Sequence, residues 1–250
     1  MGRIISPIAL PLHSPIVCPM GIAAINWLTG QIAAGSLSWA WRATNVIVSG
    51  TAISQITDLT GGGRHLTQAS GLSKPSIVAS WRGGQPAVGF SGTRWAAVAD
   101  PILPLTDWTF GCVLECTDIS VDRSPMSFGT ATTGAAYVIR PASGHGIRLE
   151  SVGIVNDSST GLSAANSIVF TRTGAPPVLR FYLNGVEEAL DVPSATMFVA
   201  VTGARIGSLA NGTQPFVGRQ AEGFVAPSPF SAMQIAAYHA SVKARYILPI

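Results

Sequence analysis

The chain is predicted to be all-β, an antiparallel sandwich of two packed sheets, and three observations carry that expectation. Asn184-Gly185 stands between the apolar, alternating run Phe181-Tyr182-Leu183 and the run that begins at Val186. Both residues accept the positive φ of a type I′ turn, so the flanking strands pair as a hairpin. The stretches 167–172 and 204–208 continue as short extended runs separated by Gly, Pro and Asn. A chain of 250 residues with 47% hydrophobic content is also large enough to fold as one sandwich around a substantial core.

The first element is a predicted arm, residues 1–35. From Ile4 through Trp41 there is no Lys, Arg, Asp or Glu, and prolines recur at Pro7, Pro11, Pro15 and Pro19. Proline at that spacing forbids a continuous helix and removes ladder donors, so residues 1–20 are expected to run extended. Gly21 to Gly35 spans only about 15 residues, short of the roughly 20 that a membrane helix needs, so no membrane span is expected. A signal peptide fits poorly, because prolines interrupt the apolar region and Arg3 is the only positive residue before it. An arm this apolar requires burial, either against a neighbouring subunit or back over an edge strand of its own sandwich. Residues 246–250, Tyr-Ile-Leu-Pro-Ile, raise the same choice at the other end.

The sandwich is expected to occupy residues 36–250. Trp39 and Trp41 fall on one face of an early strand, and Trp81, Trp95 and Trp108 lie in or beside later ones. In Trp108-Thr109-Phe110-Gly111-Cys112-Val113-Leu114-Glu115-Cys116 every even position is apolar, which places Trp108, Cys112 and Cys116 in the core. Four residues of strand separate the two cysteines by about 13 Å, too far for a disulfide. With Cys18 as the third, no disulfide framework is implied, which favours folding in a reducing cytoplasm.

The order "IVFTRTG…VLRFYLNGVEEA…ARIGSLANGTQPFVGRQAEGFV" resembles the laminin-G-like and concanavalin A-like jelly rolls, as a strand, an Asn-Gly hairpin and a later "IGs…pf.G" strand follow one another. Upstream, "ITDLTGGGRHLTQ" and "GGQPAVGFSGTRW" look like the opening strands of such domains in tailed bacteriophages. The resemblance covers roughly residues 36–240. It implies a jelly-roll virion protein made in the host cytoplasm, and it specifies a fold rather than a ligand.

Charged residues make up only 11% of the chain, so much of the surface is neutral and part of it is expected to meet a partner. All of the 15 basic residues except Lys74 and Lys243 are arginines, scattered without a run, and the net charge is +3. That dispersion argues against nucleic acid as a partner.

No catalytic residue is assigned. Glu115 is the lone acid of its strand, whereas glycoside cleavage needs two carboxylates across the scissile bond, so an acid pair would have to come from different strands. Glu187, Glu188 and Asp191 read as a solvated edge. His13, His65, His145 and His239 stand far apart without zinc-ligand spacing, and no Gly-x-Ser-x-Gly elbow occurs. The chain is therefore expected not to be an enzyme, and no cofactor is expected. The resemblance to laminin-G-like domains, some of which bind calcium at rim loops, implies Asp58, Asn156, Asp157 and Asn211 as calcium candidates, although Asp and Asn also serve such turns for backbone reasons alone.

Trp95, after Gly92-Thr93-Arg94, is the aromatic expected to be exposed, and with Asn156, Asp157 and Asn211 it forms the candidate ligand site. The functional expectation is a tail-associated fibre or adhesin component. Its arm would join other virion proteins in a homo-oligomer or larger assembly, and its jelly roll would face a host surface glycan. The alternatives are a capsid decoration protein and a polysaccharide-cleaving enzyme.

Overall fold

The computed structural model describes residues 27–248, apart from 101–102, 105, 130–134, 140–146, 152–153, 158–163, 175–177 and 190–202. The proline-rich stretch, His13, Cys18, His145 and Asp191 lie outside the described residues. In chain order the elements are α1 (Trp27–Ala33), β1 (Trp39–Arg42), β2 (Val46–Ser49), β3 (Ala52–Ile56), β4 (Leu66–Thr67), β5 (Ser76–Val78), β6 (Ala87–Ser91), β7 (Ala96–Val98) and β8 (Trp108–Cys116). There follow β9 (Arg123–Phe128), β10 (Ala135–Ile139), β11 (Ile147–Ser151), β12 (Ile154–Asp157), β13 (Asn166–Thr173), β14 (Val178–Leu183), β15 (Val186–Glu188), β16 (Ala204–Ile206), β17 (Val217–Ala226) and α2 (Ala232–Tyr246).

Every described strand pair is antiparallel, and the pairings trace two layers. In the front layer β17 is flanked on one side by β8, then β13, β14 and β15, and on the other by β1 and β6. The back layer runs β2-β3-β4-β7-β16-β9-β10-β11-β12. A single pairing of Ala52 with Ser76 and the β5-β6 hairpin join them at one edge. The predicted antiparallel sandwich is thus observed.

The core between the layers follows the period-2 alternation. Trp108, Phe110, Cys112 and Leu114 from β8 meet Met126, Phe128, Ile206, Leu66 and Ile56 from the back layer. Phe110, Phe170 and Phe181 are opposed across β8, β13 and β14, with ring centroids 5.3 and 4.7 Å apart. Such cross-strand aromatic pairs contribute about 0.2–1 kcal/mol each and help fix the register. The Asn-Gly hairpin closes β14 onto β15, with φ of 52° at Asn184 and 82° at Gly185.

The opposite face of the front layer carries a second core. Trp27 and Leu28 of α1, and Ile235, Tyr238, Val242 and Tyr246 of α2, cover Val113, Val169, Tyr182 and Phe224. Trp27 lies 5.0 Å from Tyr238 and 5.4 Å from Phe224, centroid to centroid. The end of the segment expected to be an extended arm is therefore a helix seated on its own sandwich, where Trp27 packs on Phe224, Phe230 and Tyr238. Ser231 starts α2 with a capping box: its Oγ accepts from Gln234 N at 3.3 Å, and Gln234 Oε1 accepts from Ser231 N at 2.9 Å. Covered on both faces, β8 is buried along nearly its whole length.

Candidate functional site

Helices cover the outer face of the front layer, and among the described residues the helix-packed cluster includes none from the back layer. The alternation Ala204-Arg205-Ile206 in β16 sends Ala204 and Ile206 into the core and Arg205 outward. Arg205 stands opposite Ala97, which in turn stands opposite exposed Thr67, so small side chains flank it. Trp95, two residues before Ala97, emerges on the same side, and the Arg205 guanidinium lies over its ring at 3.7 Å from the centroid. That is close cation–π stacking.

Backbone bonds fix Trp95. Its N–H donates to Ser73 O at 3.0 Å, and its carbonyl accepts from Gln68 Nε2 at 3.3 Å. Arg205 is fixed from the other side, where Nη1 donates to Leu209 O at 2.9 Å. Leu209 and Thr213 close a turn through which Asn211 is presented, its Oδ1 accepting from Thr213 N at 3.0 Å and Oγ1 at 2.6 Å. Gly212 completes this corner, since a Cβ there would lie 3.8 Å from Arg205 Nη1.

Arg205, which is not among the candidates from the sequence, stacks on Trp95 and bonds the turn that carries Asn211. Arg205 was legible only as an outward position in an alternating strand. Trp95 is half-buried beneath it rather than openly exposed. Asn156 and Asp157 are not in a turn; they belong to β12, opposite Leu149 and Arg148, because the segment pairs with β11 as an edge strand. Four strand spacings separate β12 from β16, about 19 Å.

Of the calcium candidates, Asp58 and Asn211 are engaged within their own turns. Asp58 is buried, its Oδ1 accepting from Thr60 N at 3.0 Å and Thr60 Oγ1 at 2.7 Å, and its Oδ2 from Arg64 N at 3.1 Å. Among the described residues no group of three or more His, Cys, Asp or Glu is placed to hold a metal ion. Nor, among them, is any helix long and apolar enough to cross a membrane.

A second polar group lies on the helix-covered face. Glu115 Oε2 accepts from Trp81 Nε1 and Arg219 Nη1, both at 2.9 Å, and Oε1 accepts from Arg82 Nη2 at 3.0 Å. Burial pushes this carboxyl up, but the hydrogen bonds from Trp81, Arg82 and Arg219 outweigh it and hold the group below its ordinary value. Glu222 is opposite Val113 and so shares this face with Glu115. Its Oε2 accepts from Arg42 Nε and from the Tyr246 hydroxyl, each at 2.9 Å.

No protein-family model matches the chain, and no curated protein matches it. Solved structures do. A Trypanosoma rangeli sialidase in complex with sialic acid superposes with a TM-score of 0.62 at 10% identity over 84% of this chain. Domain 4 of AbnA, a GH43 extracellular arabinanase from Geobacillus stearothermophilus, in complex with arabinotriose, gives 0.59 at 12% over 82% of this chain and 98% of its own. An arabinofuranosidase complexed with arabinofuranosyl-α-1,2-xylobiose gives 0.59 at 15% over 86% of this chain and 60% of its own. The chain spans about a third, 33%, of the sialidase.

The fold is therefore a β-sandwich shared with carbohydrate-active proteins, and at these identities the likeness establishes the fold alone. None of these neighbours is a laminin-G domain or a phage protein. They overturn the expectation of a non-enzyme, because each is a glycoside hydrolase or a domain of one. Pairing of β8 with β17 puts Glu115 and Glu222 on one face, so two acids from different strands share it.

Proposed function

We propose that the protein recognises an oligosaccharide on the outer face of its back layer, at the platform formed by Trp95, Arg205 and Asn211. The observation that carries this reading is the Arg205 guanidinium stacked 3.7 Å above the Trp95 ring on the sheet face that the helices leave open. An indole-backed guanidinium offers a flat surface and in-plane donors, which suit a pyranose or furanose ring bearing hydroxyls. The domain matched over 98% of its length is described with arabinotriose, which supports a glycan as the ligand class. The finer expectation, a tail-associated adhesin of a virion, becomes this same platform turned toward a cell-surface polysaccharide; it fails if antibodies to the chain do not label phage particles. Calorimetry of the full chain against neutral and acidic oligosaccharides tests the site itself. Trp95→Ala is expected to weaken binding about tenfold or more, and an unchanged affinity removes the platform from the reading.

Cleavage is the second reading, favoured by one observation, the placement of Glu115 and Glu222 on the same sheet face. Held ionised by three donors, Glu115 is suited to act as a nucleophile or electrostatic stabiliser, not as the acid. Glu115→Gln is expected to abolish the release of reducing ends from polysaccharide. Equal release by the variant would assign this carboxylate to structure only.

A further inference from the structure

Arg205 differs from five of the other described arginines. Arg42, Arg82, Arg123, Arg180 and Arg219 each pair with a carboxylate. Arg205 has no acidic partner among the described residues; Nη1 is spent on Leu209 O at 2.9 Å and approaches Ser208 Oγ at 3.4 Å, both neutral. It is half-buried between the Trp95 ring and the 209–213 turn, and that burial alone lowers its pKa. A partly desolvated cation without a counter-ion is costly unless something supplies one. The strands beside it on that side offer no counter-charge, because Ala97 and, beyond it, Thr67 are neutral and small. The 209–213 turn that Arg205 bonds supplies no anion either, and within it the Asn211 oxygen is taken by Thr213.

From this geometry we infer that the platform selects a sugar carrying a carboxylate, a uronate-type residue whose anion completes an ion pair with the indole-backed guanidinium of Arg205. The inference rests on the glycan-binding reading and adds the substrate class. A planar guanidinium meets a carboxylate through two parallel hydrogen bonds, and charge-assisted bonds are about twice as strong as neutral ones. Arg205 therefore discriminates between an acidic sugar and its uncharged ester.

The test is calorimetry of the full chain against trimers of galacturonate, glucuronate and mannuronate, each beside its methyl ester, at low and high salt. At least one acid trimer is expected to bind about tenfold or more tightly than its own ester, with the ratio shrinking as salt rises. In Arg205→Gln the ratio is expected to fall to about one, and in Arg205→Lys, which keeps the charge without the fork, to an intermediate value. Thermal melts of both variants separate this loss from unfolding of the 209–213 turn. Equal binding of acid and ester by the native chain overturns the acidic-sugar inference while leaving the glycan reading intact. Binding of neither acid, ester nor neutral oligosaccharide overturns both.

Discussion

Gly207 shows how narrowly single residues hold the platform in place. Its φ is 92°, and a Cβ there would lie 2.5 Å from Arg94 O and 2.5 Å from the Phe90 ring. Its amide donates to Pro125 O at 2.9 Å, and its carbonyl accepts from Phe216 N at 2.8 Å, so the backbone cannot easily move aside. Gly207→Ala is expected to cost about 2 kcal/mol or more, from the left-handed strain and the clash together. Urea unfolding measures it; a native midpoint would mean that β16 shifts freely, and Arg205 with it. Gly185 is constrained in the same two ways, by φ of 82° and by the His239 side chain, whose Cβ lies 2.9 Å from where a Cβ would sit. The first constraint was legible in Asn-Gly; the second was not, because it comes from a helix 54 positions later.

Among the elements, α2 is fastened to the sheet by polar as well as apolar contacts. Ser167 Oγ and His239 Nδ1 are 2.8 Å apart, and Ser167 N donates to Asn184 Oδ1 at 3.0 Å, tying the helix to β13 and the hairpin turn. Burial first, and the Lys243 charge second, hold the His239 pKa below its ordinary 6.5. The unfolded chain therefore takes up a proton at higher pH than the folded one. The stabilisation from neutral His239 is complete above pH 6.5 and is lost as pH falls from there toward the depressed folded-state value. Chemical denaturation at pH 7 and pH 5 is expected to show this decline, with a smaller decline in His239→Gln. An identical pH slope in the variant would place the titration elsewhere. The helix itself was legible through Ser231 and Gln234, a capping box three residues apart, yet the Ser-Pro-Phe-Ser run before it reads as another turn between strands. Helix α1 was obscured for a different reason: Gly30 and Thr29 weaken its helical propensity, and packing of Trp27 and Leu28 in the cluster under the helices compensates.

At the scale of the whole molecule, the two helices decide which sheet surface meets solvent. Residues 36–250 match the domain boundary drawn from composition but lack Trp27 and Leu28, whose removal uncovers Phe224, Phe230 and Tyr238. That chain is expected to be less stable than residues 27–250 by about 3 kcal/mol or more, on the scale of a buried Trp truncation. The corresponding fall in melting temperature is about 6 °C or more. Scanning calorimetry of the two chains decides it, and equal melting temperatures would mean that α1 contributes nothing to the sandwich.

The sequence by itself determined what is local: the Asn184-Gly185 turn, the alternation that buries Trp108, Phe110, Cys112 and Leu114, and the outward position of Arg205 in β16. Each follows from φ preference or from the two-residue period of a strand, which need no knowledge of the partner. Only the tertiary structure decided that Trp95 lies beneath Arg205, that Glu115 meets Arg219, and that helices close one outer face while leaving the other open. A period of two distinguishes the two faces of a strand but not which of them another element will cover. That choice is made by strand order and register, through contacts between residues more than a hundred positions apart, and local sequence carries no record of it.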